Sequence, residues 1–398
     1  MRFSAKHAAR PPAEHGYAGW AAASPDGKTA YSGDYFSLKA WDISALNTNR
    51  PDWLFAGHIP YRIFSTADRA HLWALGAKLE VWNLASRRLV QSLPLDFLGL
   101  HRPGETPGLD QWRRLIGSYR THDSLIALVS SKKVVETFDL RTAKRGPTLG
   151  KTPETIQGEI ATLLKSGRPP AEGPRAIARL NAQLFPRDEN HSISIDVSAD
   201  GKWLAVVDAE ARDYVASLWS LETGELVRLF GEGGVAGRVV RLLNHDRSIV
   251  VGGEDGGLRF FAVENGAELG HIEGTKEIDA HGLSRTHITD ILPAQNGNTL
   301  FTSDRKQRIT RWDQVNGTWR KRYETIFPAE VPIVRVALSP FGTRLAASIY
   351  NGSANGIIAI LDTDNGQVRE VLTEDARDLT FTSENQLATT GICVWTLK

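Results

Sequence analysis

Residue types that bind metals come together at one place in the sequence. Asp279, His281 and His287 stand close together, and carboxylate and imidazole groups are common zinc ligands. A structural zinc site needs four ligands, and no fourth is evident nearby. The single cysteine, Cys393, excludes both an internal disulfide and a multi-cysteine metal site. We therefore expect these three residues to be polar loop residues, and we predict no cofactor.

A glycine-rich stretch at residues 231–237 resembles a phosphate-binding loop by its glycines alone. A phosphate loop needs a helix directly after it, because the amides and dipole of the helix N-terminus hold the anion. Residues 238–243 have the composition of a strand instead. The context predicts an ordinary loop between strands. The sequence also contains no Gly-x-Ser-x-Gly nucleophile elbow and no Cys-x-x-Cys-His haem motif.

Basic side chains are concentrated in one segment that also contains aromatic residues. The basic residues are Arg305, Lys306, Arg308, Arg311, Arg320, Lys321 and Arg322, and the aromatic ones are Trp312, Trp319 and Tyr323. Such a patch could bind nucleic acid or an acidic partner. The whole chain has 47 basic and 46 acidic residues, a net charge of +1, which argues against a dedicated nucleic-acid binder. We interpret the segment as a solvated outer face.

The composition is that of a globular protein without a membrane segment. Of the 398 residues, 41% are hydrophobic and 23% are charged. No apolar run approaches the ~18 residues that a membrane helix needs. Residues 1–12 lack the hydrophobic stretch of a signal peptide. We expect a cytoplasmic protein that does not bind membranes.

An internal repeat in the sequence predicts the strands that position these residues. A strand-like segment that ends in an aromatic or apolar residue and a short polar residue occurs eight times. These endings are Trp41-Asp42, Trp82-Asn83, Phe138-Asp139, Trp219-Ser220, Phe261-Ala262, Trp312-Asp313, Leu361-Asp362 and Trp395-Thr396. Repeats of this length indicate one supersecondary unit used many times.

Turn signals flank each repeat. Residues 24–27, 198–201 and 339–342 have turn composition upstream of the aromatic position, and Asn-Gly or Thr-Gly pairs such as Asn265-Gly266 and Thr223-Gly224 follow it. Pro, Asp and Gly favour these turns for separate steric and hydrogen-bonding reasons. Short apolar runs between the turns have strand composition. The pattern predicts repeated antiparallel units of four strands.

Two segments resemble the repeat of a known family. Residues 253–261 (Gly-Glu-Asp-Gly-Gly-Leu-Arg-Phe-Phe) and 218–225 (Leu-Trp-Ser-Leu-Glu-Thr-Gly-Glu) are similar to the third-strand motif of the WD-repeat family. The resemblance extends over almost the whole chain, and it implies an all-β protein with a single β-propeller domain over residues 1–398. The Gly-His pair of that family is mostly absent, and Gly57-His58 is its best match.

The repeats predict eight four-stranded blades, and seven if one weak repeat is misread. The last repeat ends at the third strand of its blade, so that its fourth strand must come from elsewhere. Residues 2–6 precede the first predicted strand and have no other place in the count. We predict that this N-terminal strand closes the propeller, because an open sheet edge invites aggregation.

Two repeat spacings, 56 residues from Trp82 to Phe138 and 81 from Phe138 to Trp219, exceed the ~40–45 typical of propeller repeats. The excess lies at residues 94–113, a Pro- and Gly-rich loop, and at residues 150–190. Both insertions connect the outer strand of one blade with the inner strand of the next. In the WD-repeat family such connections lie on the top face, so the resemblance implies that the two insertions are neighbours there.

The second insertion, between blades three and four, is predicted to contain two helices. Thr152 is a suitable N-cap with Pro153 at the first helical position, and Pro174 opens the second helix. The apolar stripes are Ile156, Ile160, Leu163 and Leu164 in the first helix and Ile177, Leu180, Leu184 and Phe185 in the second. Two interpretations remain open. The helices pack on the rim of the propeller, or they form a docking surface.

The sequence predicts a non-catalytic scaffold that binds a protein partner on the top face near the insertions and is monomeric alone. The predicted anchors are Phe97, Trp112 and Phe185, with Arg113 and Arg114 at the polar rim. The alternative is an enzyme or small-ligand binder that uses the central channel. Several titratable side chains around one pocket would favour that alternative.

Overall fold

The described residues form sheets of one recurring type. A computed structural model of the chain describes residues 20–23, 29–33, 38–42, 53–54, 62–65, 70–75, 78–94, 115–120, 125–131, 134–139, 144–165, 173–183, 193–208, 214–232, 236–275, 277–278, 284, 286–327, 333–349, 356–374, 376, 378–390 and 393–397. These residues form seven four-stranded sheets and one three-stranded sheet. The described strand pairs within the sheets are antiparallel, as the turn pattern predicted.

The chain divides into two compact units. Residues 95–322 form one of them, which we call the continuous unit, and residues 1–94 together with 323–398 form the other, the two-segment unit. The first strands of the two-segment unit are β1 (Trp20–Ala23), β2 (Thr29–Gly33), β3 (Leu38–Asp42), β4 (Trp53–Leu54), β5 (Arg62–Ser65), β6 (His71–Leu75), β7 (Lys78–Asn83) and β8 (Arg88–Pro94). Strands β1–β3 form the three-stranded sheet, and β5–β8 form a four-stranded sheet.

The continuous unit contains four sheets in chain order. Their strands are β9 (Leu115–Arg120), β10 (Leu125–Ser131), β11 (Val134–Asp139), β12 (Lys144–Leu149), β13 (Ile193–Val197), β14 (Trp203–Asp208), β15 (Tyr214–Ser220), β16 (Leu226–Glu232), β17 (Gly237–Leu243), β18 (Ser248–Gly253), β19 (Leu258–Ala262), β20 (Glu268–Ile272), β21 (Ile288–Pro293), β22 (Thr299–Asp304), β23 (Arg308–Val315) and β24 (Thr318–Ile326). Each consecutive group of four strands forms one sheet. The strand predicted after the glycine-rich stretch is β17.

The remaining strands belong to the two-segment unit. They are β25 (Ile333–Leu338), β26 (Arg344–Ile349), β27 (Ile357–Asp362), β28 (Val368–Thr373), β29 (Leu379–Ser383), β30 (Gln386–Thr389) and β31 (Cys393–Thr396). Strands β25–β28 form one sheet, and β29–β31 form another whose fourth strand is β4.

The closing strand is therefore not the one predicted. A strand from the N-terminal part of the chain does pair with the last strand, but it is β4, with Leu54 opposite Cys393 and Trp53 opposite Val394. The prediction that residues 2–6 fill this place was wrong; those residues lie outside the described part of the chain. The error has a physical cause. Two residues carry no detectable hydrophobic period, and strand pairing over such a sequence distance is not set by local pattern.

The inner strands of two sheets in the two-segment unit adjoin each other. The Ser65 hydroxyl on β5 donates to the Phe381 carbonyl on β29 at 2.9 Å, and the Ile63 amide donates to the Asp378 carboxylate at 3.3 Å. These bonds leave no place between the two sheets for the three-stranded sheet, whose strand β1 lies beside β4 instead. The number of blades remains a prediction.

The interior confirms the predicted position of the repeat tryptophans. Trp219 is 1% exposed and its indole N–H donates to the Ser217 hydroxyl at 3.0 Å. Trp312 is half-buried between sheets β17–β20 and β21–β24, and its indole N–H donates to Thr302 at 3.0 Å. A buried indole thus keeps its polar atom satisfied.

The hairpin after β15 requires a glycine. Gly224 has φ +78°, and a Cβ at this position would lie 2.2 Å from the Thr148 carbonyl oxygen, so only glycine fits this hairpin.

The insertion at residues 150–190 contains the two predicted helices, α1 (Pro153–Lys165) and α2 (Gly173–Asn181). Ile156 on α1 is buried, and Ala182, just after α2, joins the core beneath sheet β13–β16. The Arg179 guanidinium donates to the carbonyls of Leu226 and Val227 on the edge strand β16, at 3.3 and 3.5 Å. The helices therefore pack against a sheet of the continuous unit.

Candidate interaction site

The sheets have two chemically different ends. At one end, which we call the hairpin end, tight turns join the first strand to the second and the third to the fourth, as in residues 244–247 and 263–267. At the other end, the loop end, a turn joins the second strand to the third, and the chain enters and leaves each sheet. In the continuous unit the loop end includes residues 254–257 and 305–307. Connecting segments held by a rigid scaffold are a common place for binding residues.

A guanidinium and a carboxylate meet at the loop end of sheet β17–β20. Arg238 lies at the start of β17, and its Nη2 is 3.6 Å from Oε1 of Glu254; the two side chains are 29% and 25% exposed. Glu254 is held in place by its amide, which donates to the Ala236 carbonyl at 3.0 Å, and by its carbonyl, which accepts from the Ser284 hydroxyl at 2.6 Å. Nε of Arg238 is buried and has no hydrogen-bond partner among the described residues.

His287 lies next to this pair, just before β21. Burial lowers the pKa of His287, and the positive charges of Arg238 and Arg305 lower it further, while a hydrogen bond with the Ser284 backbone and the charge of Glu254 act against them. The His287 carbonyl also accepts from the Arg305 amide at 3.3 Å, which fixes the two residues relative to each other. The imidazole is therefore held neutral between two guanidinium groups.

The other cations at this end are neutralised by nearby carboxylates. Arg308 Nη2 lies 2.6 Å from Oδ2 of Asp304, and the Lys306 ammonium pairs with Glu277. Burial raises the pKa of Asp304, although hydrogen bonds and charge from Arg308 oppose the shift. The Arg305 side chain, in contrast, has no ion pair with any described residue. Among the described residues, the loop end thus has one guanidinium without a counter-charge.

A cavity of about 240 Å³ opens at the same end of sheet β17–β20. It is lined by Val215, Val251, Gly253, Asp255, Gly257, Arg259, Glu268, His271, Ile272 and Glu273. Its histidine already contacts two carboxylates, because His271 Nδ1 lies 3.1 Å from Glu268 and Nε2 lies 3.0 Å from Glu273. No group of three or more His, Cys, Asp or Glu side chains suited to a metal ion occurs among the described residues.

At the hairpin end, two carboxylates accept hydrogen bonds from the backbone amides of a turn in the neighbouring sheet. Asp246 accepts a hydrogen bond from the Ala199 amide in the turn of the preceding sheet, at 2.8 Å. In the two-segment unit Glu384 has the same role, accepting from the Phe341 amide at 2.8 Å and from the Ser339 hydroxyl at 2.6 Å. Burial acts to raise the pKa of Glu384, but these bonds and one from Thr343 bring it below the ordinary value. These carboxylates are structural.

The most strongly shifted carboxyl group lies on an inner strand. Burial raises the pKa of Asp196 to about 6, against the opposing effects of Arg241 and of backbone hydrogen bonds. Its Oδ2 accepts from the Leu242 amide on the neighbouring inner strand β17 at 2.7 Å, and Ser194 accepts from the Val240 amide at 3.2 Å. Unpaired amides of an inner strand need acceptors. The same contact between Asp378 and Ile63 favours a structural role for Asp196 over a catalytic one.

The basic segment combines ion-paired side chains with an exposed edge strand, because Arg320, Lys321 and Arg322 on β24 are exposed. Besides Lys306 and Arg308, Arg311 pairs with Asp313, its Nε 2.9 Å from Oδ1. Trp319 stacks on Phe260 with ring centroids 5.2 Å apart and planes 8° apart. A nucleic acid needs open aromatic faces for base stacking, and Trp312 and Trp319 are occupied by packing. These contacts support the interpretation of this segment as a solvated outer face.

The predicted anchors, the rim residues and two of the three candidate metal ligands are not among the described residues. Phe97, Trp112, Arg113, Arg114 and Phe185 lie outside the described residues, as do Asp279 and His281. His287 is described and belongs to the loop-end cluster. Arg238 and Glu254 were missed. The only signal for them is an arginine that directly follows the last glycine of the 231–237 stretch and a glutamate in the next turn, and neither is distinctive.

No described helix has the length and apolar character needed to span a bilayer. No family model matches the sequence, and no curated protein does. Chains of known structure do match, 1738 of them, so the fold is widespread and does not by itself define a function.

One similar structure is the β-propeller domain of Cps50 (Swd1) from Myceliophteria thermophila. Its TM-score is 0.59 with 12% sequence identity, over 87% of this chain and 99% of that chain. At this identity the similarity concerns the fold alone. Together with the repeated four-stranded sheets, it shows that this protein has the all-β fold of a WD-repeat-type β-propeller.

Proposed function

We propose that the protein is a non-catalytic interaction scaffold of the WD-repeat type, which binds a protein partner through the loop end of its sheets near the two insertions. Propellers of this type typically act as protein-interaction scaffolds. The observation that carries the proposal is the difference between the two ends. At the hairpin end Asp246 and Glu384 accept from backbone amides, whereas Arg305 at the loop end has no ion pair with a described residue.

The two insertions lengthen connections of the kind that form the loop end, and they therefore add surface there. Both join the outer strand of one sheet to the inner strand of the next, so they belong to the loop end by their place in the chain. We retain Phe97, Trp112 and Phe185 as anchors and Arg113 and Arg114 as rim residues of this surface, because aromatic and arginine side chains dominate binding energy at protein interfaces. We also retain the expectations of a cytoplasmic location and a monomer in the absence of the partner.

The proposal is tested by affinity capture of the full chain from its own cells, followed by mass spectrometry. Phe97→Ala, Trp112→Ala and Phe185→Ala should each reduce the yield of the same captured partner. Phe341→Ala is the matched control, because Phe341 is 80% exposed and lies at the hairpin end. Its hydrogen bond to Glu384 is made by the backbone amide and survives the substitution.

Circular dichroism melting of each variant establishes that it is folded. A partner whose capture is unchanged in all three anchor variants, or is lost with Phe341→Ala instead, contradicts the proposed binding surface. A turnover assay that detects chemistry on a small substrate would contradict the non-catalytic assignment.

A further inference from the structure

Two guanidinium groups at the loop end of the continuous unit have unused capacity to donate hydrogen bonds, as far as the described residues show. The first guanidinium is that of Arg238, whose Nε is buried and unpartnered among the described residues. Its counter-charge among the described residues is Glu254, and the Nη2 to Oε1 distance of 3.6 Å is longer than the ~2.7–2.9 Å of a charge-assisted hydrogen bond. Arg238 is therefore only partly satisfied within the fold.

The second guanidinium is that of Arg305. It lies in the turn between β22 and β23, where its neighbours Lys306 and Arg308 hold Glu277 and Asp304. Arg305 itself has no ion pair with a described residue, and it is partly buried rather than fully solvated. A partly dehydrated cation next to another cation is unfavourable unless an anion is bound there.

The backbone holds the cluster together. The Arg305 amide donates to the His287 carbonyl at 3.3 Å, and the Ser284 hydroxyl connects the segment before His287 to the Glu254 carbonyl at 2.6 Å. These contacts join the backbone segments that carry Glu254, His287 and Arg305, and they do not depend on a ligand. Such preorganisation reduces the entropy cost of binding.

We infer that Arg238 and Arg305, beside His287, form a binding site for a carboxylate group carried by an acidic peptide segment of the partner. This inference rests on the proposed function and adds the chemical class of the segment that is bound. The planar donor groups of arginine match the two oxygens of a carboxylate. Asp255, in the same turn as Glu254, lines the neighbouring cavity with Arg259 and does not complete this cluster.

A peptide is favoured over a nucleic acid by the surroundings of the cluster. Glu254, Glu277 and Asp304 pair with cations beside it, so the described residues form no long basic groove for a phosphate backbone to follow. A short acidic segment needs only one or two carboxylates at the site. The aromatic residues Trp312 and Trp319 nearby are packed and do not offer faces to bases.

The test measures binding of a fluorescein-labelled hexaglutamate peptide to the full chain by fluorescence anisotropy at low salt, with a Gly-Ser peptide as the negative probe. Arg305→Gln should weaken hexaglutamate binding about tenfold or more, the loss expected for one charge-assisted pair. Arg238→Gln should have a similar effect. Arg247→Gln is the matched control, because Arg247 is an exposed arginine at the hairpin end, and it should change the affinity less than about twofold.

Absence of hexaglutamate binding to the wild type, or equal binding by Arg305→Gln and wild type, overturns the inference. So does tighter, Arg305-dependent binding of a single-stranded thymidine oligonucleotide or of phosphatidylserine vesicles, since either would identify another class of ligand. The proposed function is tested by a different result, the loss of partner capture in the three anchor variants. If capture of a partner depends on the anchors but is unchanged by Arg305→Gln, the proposed function stands and only this inference is overturned.

Discussion

At the hairpin end of the sheets, carboxylates bind backbone amides of the adjacent sheet, while at the loop end of the continuous unit cations face one another. Asp246 and Glu384 each accept from the amide of a neighbouring turn. Arg238 and Arg305 instead both lower the pKa of His287. The contrast indicates that the hairpin end contributes contacts between adjacent sheets, and it supports the proposal that the loop end takes part in recognition.

The largest effect on stability is expected in the hydrophobic core, between the two ends of the sheets. Trp219→Ala should lower the free energy of unfolding by about 3–5 kcal/mol, because it removes a fully buried ring and leaves a cavity. Thermal or urea unfolding followed by circular dichroism measures the loss. A change below about 1 kcal/mol would mean that the tryptophan is not packed as described.

A smaller loss is expected when a joining carboxylate of the hairpin end is neutralised. Glu384→Gln should destabilise the protein by about 1–2 kcal/mol at pH 7, because hydrogen bonds to a charged acceptor become neutral ones. Since the folded pKa of Glu384 lies below its ordinary value of 4.5, its contribution is present above that value and is lost as the pH falls through the folded pKa. Urea unfolding at pH 7 and pH 3.5 should show the difference between variant and wild type shrinking. A constant difference would contradict the assigned role.

Asp196→Asn should act in the opposite direction. The folded pKa of Asp196, about 6, is above its ordinary value of 3.8, so the ionised form is disfavoured in the folded state. This carboxyl group contributes most to stability below pH 3.8, and the contribution is lost as the pH rises through 6. The amide variant, which can still accept from the Leu242 amide, should gain about 1–2 kcal/mol at pH 7 and little at pH 4. Equal stability of the two proteins at pH 7 would show that Asp196 is well solvated.

The smallest effect on stability is expected at the loop end. Arg305→Gln should change the free energy of unfolding by less than about 0.5 kcal/mol, or increase it, because it removes a cation without a described counter-charge. His287 should then titrate at a higher pH, since one of the charges that lower its pKa is gone. NMR titration of the His287 ring measures this shift. Strong destabilisation by this variant would remove the distinction between the two ends.

The sequence was sufficient to predict the repeat unit, because each of its signals acts locally. Turn glycines, buried tryptophans such as Trp219 and the caps of helix α1 need only neighbouring residues to be recognised. The closing strand was not predictable in this way, since Trp53–Leu54 pairs with Cys393–Val394 across most of the chain. The loop-end cluster was missed for the same reason. Arg238, Glu254, His287 and Arg305 come from separate connections that only the folded sheets bring together.

The pairing of Trp53–Leu54 with the last strand has a consequence for synthesis. Translation proceeds at about 5–20 residues per second, so roughly 20–70 s separate the emergence of Leu54 from that of its partner Cys393. During this interval the two-segment unit lacks its closing pair, while the continuous unit, whose residues are contiguous, can fold as it leaves the ribosome. The nascent chain is thus most exposed to aggregation, and most in need of chaperones, after its central part has already folded.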